Sequence, residues 1–226
     1  ASILIAQQKL IEAEAPLRKT ITLKPDFFQA HLNLGAVLKD LGQLQEAEIS
    51  TRKSIDLNPN LFNSHFLLAN ILIGQNKLIE AEAPLRKTIA LKPDFFQAHL
   101  NLGVVFKDLG KLQEAEEPLR KAIELNPNFF QAHLNLGGVL KDLGQLQEAE
   151  SSTRKALELK SDSFQAYLNL GAVLKDLGQL QEAESSTRKA LELNPNFADA
   201  HSNLGNILRN LGNLKEAETS YRKAIE

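Results

Sequence analysis

The chain contains no cysteine and no methionine. Without cysteine there is no disulfide and no thiolate metal site, and cysteine usage says nothing about the redox compartment. Without methionine, even at position 1, the chain is expected to be an internal piece of a longer protein or a processed one. No apolar run approaches the roughly 18 residues that a membrane span needs. The opening ASILIAQQKL is too short in its apolar part, and too poor in basic residues before it, for a signal peptide. The formal net charge is -2, so there is neither a basic excess to attract nucleic acid nor an acidic tail. What is present is ordinary: 226 residues, 43% hydrophobic and 24% charged, enough apolar side chains for a core. A cytoplasmic location is the expectation.

The order of the residues is less ordinary. QAHLNLGAVLKDLGQLQEAE at 29–48 returns at 131–150 with Gly138 replacing Ala36, and at 165–184 with Tyr167 replacing His31. Gly35, Gly103, Gly137, Gly171 and Gly205 stand multiples of 34 residues apart, with Ala69 in the vacant slot. Pro25, Pro59, Pro93, Pro127 and Pro195 keep the same step, with Ser161 in the gap, and Ala13 to Ala217 keep it without exception. Such self-similarity marks a repeat architecture. A longer echo links 3–35 with 71–103, which differ only at Ala6/Gly74, Gln8/Asn76 and Thr22/Ala90, an offset of two periods.

Each period reads as two helices. Phe28 to Leu41 places Phe28, His31, Leu34, Gly35, Val37, Leu38 and Leu41 at helical spacing, and Gly42 stands where a helix end needs a left-handed residue. Leu44 to Leu57 forms the second helix, stopped by Asn58-Pro59. Gly110, Gly144, Gly178 and Gly212 repeat the turn; Asn76 suits it, and Gln8 less so. Gly35 and Ala47 are small so that paired helices approach closely, and Ser54, Thr88, Ala122, Ala156 and Ala190 let the second helix pack on the next repeat. Glu14–Arg18, Glu48–Arg52, Glu82–Arg86 and Glu150–Arg154 are spaced four apart, and such pairs add about 0.2–0.5 kcal/mol each to an exposed helix. They read as a solvated outer face. Pro16, Pro84 and Pro118 conflict with this scheme, because they fall inside second helices; a local bend or a late helix start is expected there.

Leu34, Gly35, Leu38, Ala47 and Pro59, with these intervals, resemble the tetratricopeptide repeat (TPR) family, and the resemblance recurs in register along the whole chain. In that register Ala1 is at position eight of a repeat. A partial repeat covers 1–27, full repeats cover 28–61, 62–95, 96–129, 130–163 and 164–197, and a nearly complete one covers 198–226. The resemblance implies an all-α fold, a single right-handed superhelical solenoid of antiparallel helix pairs, whose first helices line a concave groove. The family's usual Trp at position four is replaced by His31, His65, His99, His133, Tyr167 and His201. Its aromatic at position 24 is mostly Leu or Thr, as in Leu17, Thr51 and Thr153. Those departures are expected to loosen individual packing sites without threatening the fold.

No catalytic constellation is legible, and no enzyme activity, cofactor or metal is expected. The five histidines occupy one structural slot a repeat apart, so they read as packing residues and not as zinc ligands. Every glycine has a packing or turn role, which leaves no phosphate loop. Ser151-Ser152-Thr153 and Ser185-Ser186-Thr187 lie in a repeated helix with no conspicuous base nearby.

The candidate site is a stripe on the first helices, where positions two, six, nine and thirteen share one face. Position six reads Asn33, Leu67, Asn101, Asn135, Asn169 and Asn203; position two reads Gln29, Asn63, Gln97, Gln131, Gln165 and Asp199. An apolar line of Leu32, Phe66, Leu100, Leu134 and Leu168 runs beside it. Lys39, Lys107, Lys141, Lys175 and Arg209 mark one edge, each beside an acid or amide such as Asp40 or Asn210. A carboxamide both donates and accepts, so a row of them can hold the N–H and C=O groups of a passing peptide without reading its side chains. This resembles the asparagine ladder in the TPR arm of O-linked N-acetylglucosamine transferase, with the ladder broken at Leu67 and Asn70 standing one turn further on. The predicted peptide-binding residues are Gln29, Asn33, Asn70, Gln97, Asn101, Gln131, Asn135, Gln165, Asn169 and Asn203, with Lys107, Lys141 and Lys175 at the edge. A cationic clamp for a C-terminal carboxylate is poorly matched, because Gln and Leu stand where it needs lysines.

The expected function is a protein-interaction scaffold holding an extended peptide, with no nucleic-acid or membrane partner. Two alternatives remain: a substrate-recruiting arm of a larger transferase, or weak head-to-tail self-association through open ends at Ile3 and Leu4 and at Tyr221 and Ile225.

Overall fold

The computed structural model describes residues 10–225, and those residues form thirteen α-helices. They are α1 (Leu10–Leu23), α2 (Phe28–Asp40), α3 (Leu44–Leu57), α4 (Phe62–Gly74), α5 (Leu78–Leu91), α6 (Phe96–Asp108) and α7 (Leu112–Leu125). Then follow α8 (Phe130–Asp142), α9 (Leu146–Leu159), α10 (Phe164–Asp176), α11 (Leu180–Leu193), α12 (Ala198–Asn210) and α13 (Leu214–Ile225). The chain divides into two compact units, Ala1–Gly110 and Lys111–Glu226. In each, helices adjacent in sequence pack on one another, so each unit is an all-α stack of helix pairs. The turn at Gln8 and the apolar Ile3 and Leu4 lie outside the described residues.

The turn inside each pair is built by one left-handed residue. Gly42 has φ 77°, Gly42 N–H donates to Lys39 O at 3.0 Å, and Gln43 N–H donates to Leu38 O at 2.8 Å. This is the Schellman closure of a helix end, which satisfies carbonyls that the helix leaves free. Asn76 takes the same role at φ 59°. Second helices stop at the residue before the Pro-containing turn, as at Asn58, where the preceding-residue rule disfavours helix.

Close approach within a pair depends on the missing side chain at position eight. A Cβ on Gly35 would run into Thr51 Oγ1 and stand 3.2 Å from the Ala47 carbonyl of α3. A Cβ on Gly205 would lie 2.6 Å from the Tyr221 ring of α13. Position 24 therefore faces position eight, and where an aromatic survives there, as Tyr221, it fills the glycine notch. Tyr221 is consequently not part of an open apolar end: it is half-buried against Leu204, Leu208 and Ala217 and donates its hydroxyl to Asn206 Oδ1 at 3.0 Å. Ile225 is 87% exposed.

The expected late helix start at the prolines does not occur. α5 and α7 begin at Leu78 and Leu112, the same place in the period as Leu44 and Leu146, and run on through Pro84 and Pro118. Both prolines are buried against neighbouring helices, within helices that continue past the missing amide donor.

The glutamate–arginine pairs form, and they do more than brace single helices. Arg120 binds Glu116 four residues back at 2.8 Å and also Glu148 on the next second helix. Hydrogen bonds to Glu148 and Glu116 raise the pKa of Arg120. Arg154 likewise bridges Glu150 at 2.8 Å and Glu182 at 3.0 Å, and Arg188 bridges Glu184 and Glu216. In unit 1, Arg18 reaches both Glu14 and Glu46. The outer face is thus a charge ladder that ties repeat to repeat.

Candidate functional site

Within each unit, successive first helices pack directly, α2 on α4, α8 on α10 and α10 on α12. Successive second helices meet chiefly through the long Arg and Glu side chains just described. The first helices therefore line the inner side of each stack, and their position-two and position-six residues lie along it.

In unit 1, Gln29 Nε2 donates to Asn33 Oδ1 at 3.0 Å, along one helix face. Asn101 Nδ2 of α6 donates to Asn70 Oδ1 of α4 at 2.7 Å. That bond crosses from one repeat to the next and shows that position six of one first helix abuts position nine of the preceding one. Asn33, Asn70, Gln97 and Asn101 are all half-buried, and the buried Oε1 of Gln97 has no partner. Leu67 stands where asparagine stands elsewhere. Its Cδ2 lies 3.4 Å from the place a Cβ would occupy on Gly35, and it packs on the core cluster of Leu34, Leu38 and Ile71.

In unit 2 the same geometry recurs with different hydrogen bonds. Asn135 Nδ2 donates to its own helix at the Gln131 carbonyl, 2.8 Å. Asn169 lies beside position nine of the preceding first helix, its Nδ2 3.9 Å from where a Cβ would sit on Gly138. Asn203 turns from the stripe toward α11, its Nδ2 3.4 Å from Thr187 Oγ1. Gln131 and Gln165 are exposed, and Gln165 Oε1 accepts from Ser163 Oγ at 3.4 Å. A carboxamide has two N–H donors and two acceptor lone pairs, so it can hold an internal bond and a second partner together. Each stripe can therefore offer both donors and acceptors to a chain laid across it.

The lysines at the edge are neutralised locally. Lys107 pairs with Asp108 at 3.7 Å, Lys141 with Asp142 at 2.9 Å and Lys175 with Asp176 at 3.1 Å. They flank the stripe as ion pairs and do not converge on a carboxylate pocket.

The histidine slot has a specific structural use that its spacing alone did not reveal. His31, His65, His133 and His201 each place Nε2 2.8 Å from the carbonyl of the proline six residues earlier, and His99 does so at 2.9 Å. The carbonyl can only accept, so Nε2 carries the proton. Each histidine thereby pins the first helix to the turn before it. In the one repeat with Ser161 for proline, Tyr167 replaces histidine, and Ser163 caps the helix by accepting from Ala166 N–H at 3.2 Å.

An aromatic cluster also escaped the sequence reading. Phe62 and Phe95 meet edge-to-face at 5.3 Å, Phe66 and Phe95 at 4.8 Å, and Lys92 Nζ lies 4.8 Å from the Phe62 ring centre. Phe66 and Phe95 are 29 residues apart, a separation that only the repeat register would have connected. Among the described residues, no helix is long and apolar enough to cross a membrane.

Stacked helix pairs of 34-residue period, with small residues at the pair contact and a polar inner stripe, define a helical-repeat interaction scaffold. The tetratricopeptide repeat family matches at residues 28–61, 96–129 and 164–197, and, in a shifted frame, at 119–151 and 187–219, and the chain belongs to that family. No curated protein matches it by sequence. Among solved structures it is similar to YrrB, a TPR protein described as having an unusual peptide-binding site, at 23% identity over 83% of this chain and 96% of that one, TM-score 0.72. A tetratricopeptide repeat protein from Parabacteroides merdae ATCC 43184 is 18% identical over 99% of this chain and 88% of that one, TM-score 0.75. MamA from Desulfovibrio magneticus RS-1, residues 41 to its end, is 21% identical over 73% of this chain and 93% of that one, TM-score 0.68. At these identities the likeness is one of fold.

Proposed function

We propose that this scaffold holds an extended peptide along its first helices, with the carboxamide stripes contacting the peptide main chain. The observation that carries the reading is the stripe itself: half-buried carboxamides at one position of the first helices, Asn33 and Asn101 in unit 1 and Asn135, Asn169 and Asn203 in unit 2, interrupted at Leu67. Neighbouring helices pack about 8–10 Å apart, and an extended chain advances about 3.3 Å per residue, so one side chain can meet the peptide every three residues or so. The peptide-binding site named for YrrB is in keeping with this use of the fold.

Each net hydrogen bond contributes about 0.5–1.5 kcal/mol, so the row alone supports weak, sequence-tolerant binding, and the neighbouring leucines add apolar contact. The test is a random 12-residue phage-displayed peptide library selected on the immobilised chain, followed by affinity measurement on the recovered peptides. Replacing Asn101, Asn135 and Asn169 together by Ala is expected to weaken binding at least about tenfold with helicity unchanged. Equal affinity for both proteins would refute the reading.

A further inference from the structure

The repeat 62–95 departs from the two repeats that flank it at positions two, five, six and nine. Position two is Asn63 and not Gln, position five is Phe66 and not Leu, position six is Leu67 and not Asn, and position nine is Asn70 where the neighbouring repeats have Ala36 and Val104. On α4 these residues fall at helical spacing on one face: an amide, one turn of apolar side chains, and an amide again. The pairing of rings at positions one and 34 is not peculiar to this repeat, since Phe164 and Phe197 meet at 5.2 Å as Phe62 and Phe95 do at 5.3 Å. The third ring, Phe66, edge-on to Phe95 at 4.8 Å and 80°, and the adjacent Leu67 belong to this repeat alone. Both are half-buried, so part of each side chain stays open to a ligand.

The charge beside this patch is also distinctive. Lys92 Nζ stands 4.8 Å from the Phe62 ring centre and 5.4 Å from that of Phe95. Among the described residues it has no carboxylate partner, whereas Lys107, Lys141 and Lys175 are each paired with the next residue's aspartate. A cation held over aromatic rings and unpaired with an acid favours an incoming anion.

We propose that Phe66 and Leu67, with Lys92 beside them, form the specificity-determining subsite of the peptide groove: the ligand carries a bulky aliphatic or aromatic side chain there, next to an aspartate or glutamate. This rests on the reading that the carboxamide stripes hold a peptide. The amides of Asn63 and Asn70 then take the main chain on either side of the anchored residue, and the anchor sets the register that the carboxamides alone leave free.

The test extends the same phage selection to two further variants of the whole chain, the double substitution Phe66→Leu/Leu67→Asn, which restores the residues of the sibling repeats, and Lys92→Gln. Wild type is expected to enrich peptides with Leu, Ile, Phe or Trp within two residues of Asp or Glu. Alanine in place of that apolar residue is expected to weaken binding to wild type about tenfold, and by less than about twofold to the double variant. Lys92→Gln is expected to remove the acidic preference and keep the apolar one. Peptides recovered without such enrichment, or with the same enrichment on the double variant, overturn the subsite while leaving the stripe reading intact. Peptides that bind the triple asparagine variant as well as they bind wild type, or no recovered peptide at all, overturn the stripe reading and this inference with it.

Discussion

At the scale of single residues, the contacts that matter most are set by what is absent. Gly35 is helical, and its missing Cβ makes room for Thr51 Oγ1, which is itself buried without a hydrogen-bond partner. Ala69 occupies the same slot in the next repeat, facing a fully buried Leu85 in place of a threonine. Gly35→Ala is therefore expected to destabilise by about 1–3 kcal/mol, the range for overpacking a tight contact. Adding Thr51→Leu recreates the Ala69–Leu85 pairing and is expected to recover part of that loss, which a double-mutant cycle by urea titration would measure. The position-eight and position-24 letters were visible in the sequence; that they face each other became clear only from the packing. The carboxamide row shows the same limit. Asn135 and Asn203 share one place in the period, yet one bonds its own helix and the other leans to Thr187. Which rotamer wins depends on neighbours supplied by other helices, and no pattern within one strand of letters encodes that.

At the scale of helices, the legible and the illegible divide by range of interaction. The second helix of the first full repeat was expected at Leu44–Leu57 and is found there; the first was expected to end at Leu41 and ends at Asp40. Hydrophobic spacing and the left-handed glycine are local signals, so they placed these bounds. Of the two outcomes expected at the prolines, the late helix start does not occur: α5 and α7 start at Leu78 and Leu112 and carry Pro84 and Pro118 buried within them. The arginine ladder was half legible: the four-residue pairs were read, the links to the next repeat were not. Glu48 shows what such links contribute. Burial pushes its carboxyl up, but the hydrogen bonds from Lys77 and Arg52 outweigh that and hold the group below the usual carboxylate range. A carboxyl with a lowered folded pKa stabilises the fold fully above its unfolded value, about 4.3, and loses that contribution as pH falls through the folded value. Glu48→Gln is therefore expected to lower the melting temperature at neutral pH, with the gap to wild type narrowing as pH falls below about 4.3. A gap that stays constant across that window would contradict the role assigned to the Lys77 and Arg52 contacts.

At the scale of the whole chain, repetition turns a marginal contact into a surface. One asparagine on a helix is a solvated polar residue; the same asparagine on packed first helices within a unit is what the proposed function uses as a row. The family, the period and the helix pairs were all legible, because register is a property of the sequence as a whole. The apolar interruption at Leu67 was legible as a break but not as a place, since the ring cluster beside it on α4 draws on Phe62, Phe66 and Phe95, and Phe95 comes from the turn before α6. The claim on which the functional account turns is that the carboxamides of the first helices touch the main chain of a bound peptide. The most direct measurement is the nitrogen–proton spectrum of the side-chain amides as a phage-selected peptide is titrated in. The account predicts that the NH2 signals of Asn101, Asn135 and Asn169 shift with saturation while those of the turn residues Asn128 and Asn194 stay in place. Saturable binding that leaves the signals of Asn101, Asn135 and Asn169 unmoved would contradict it.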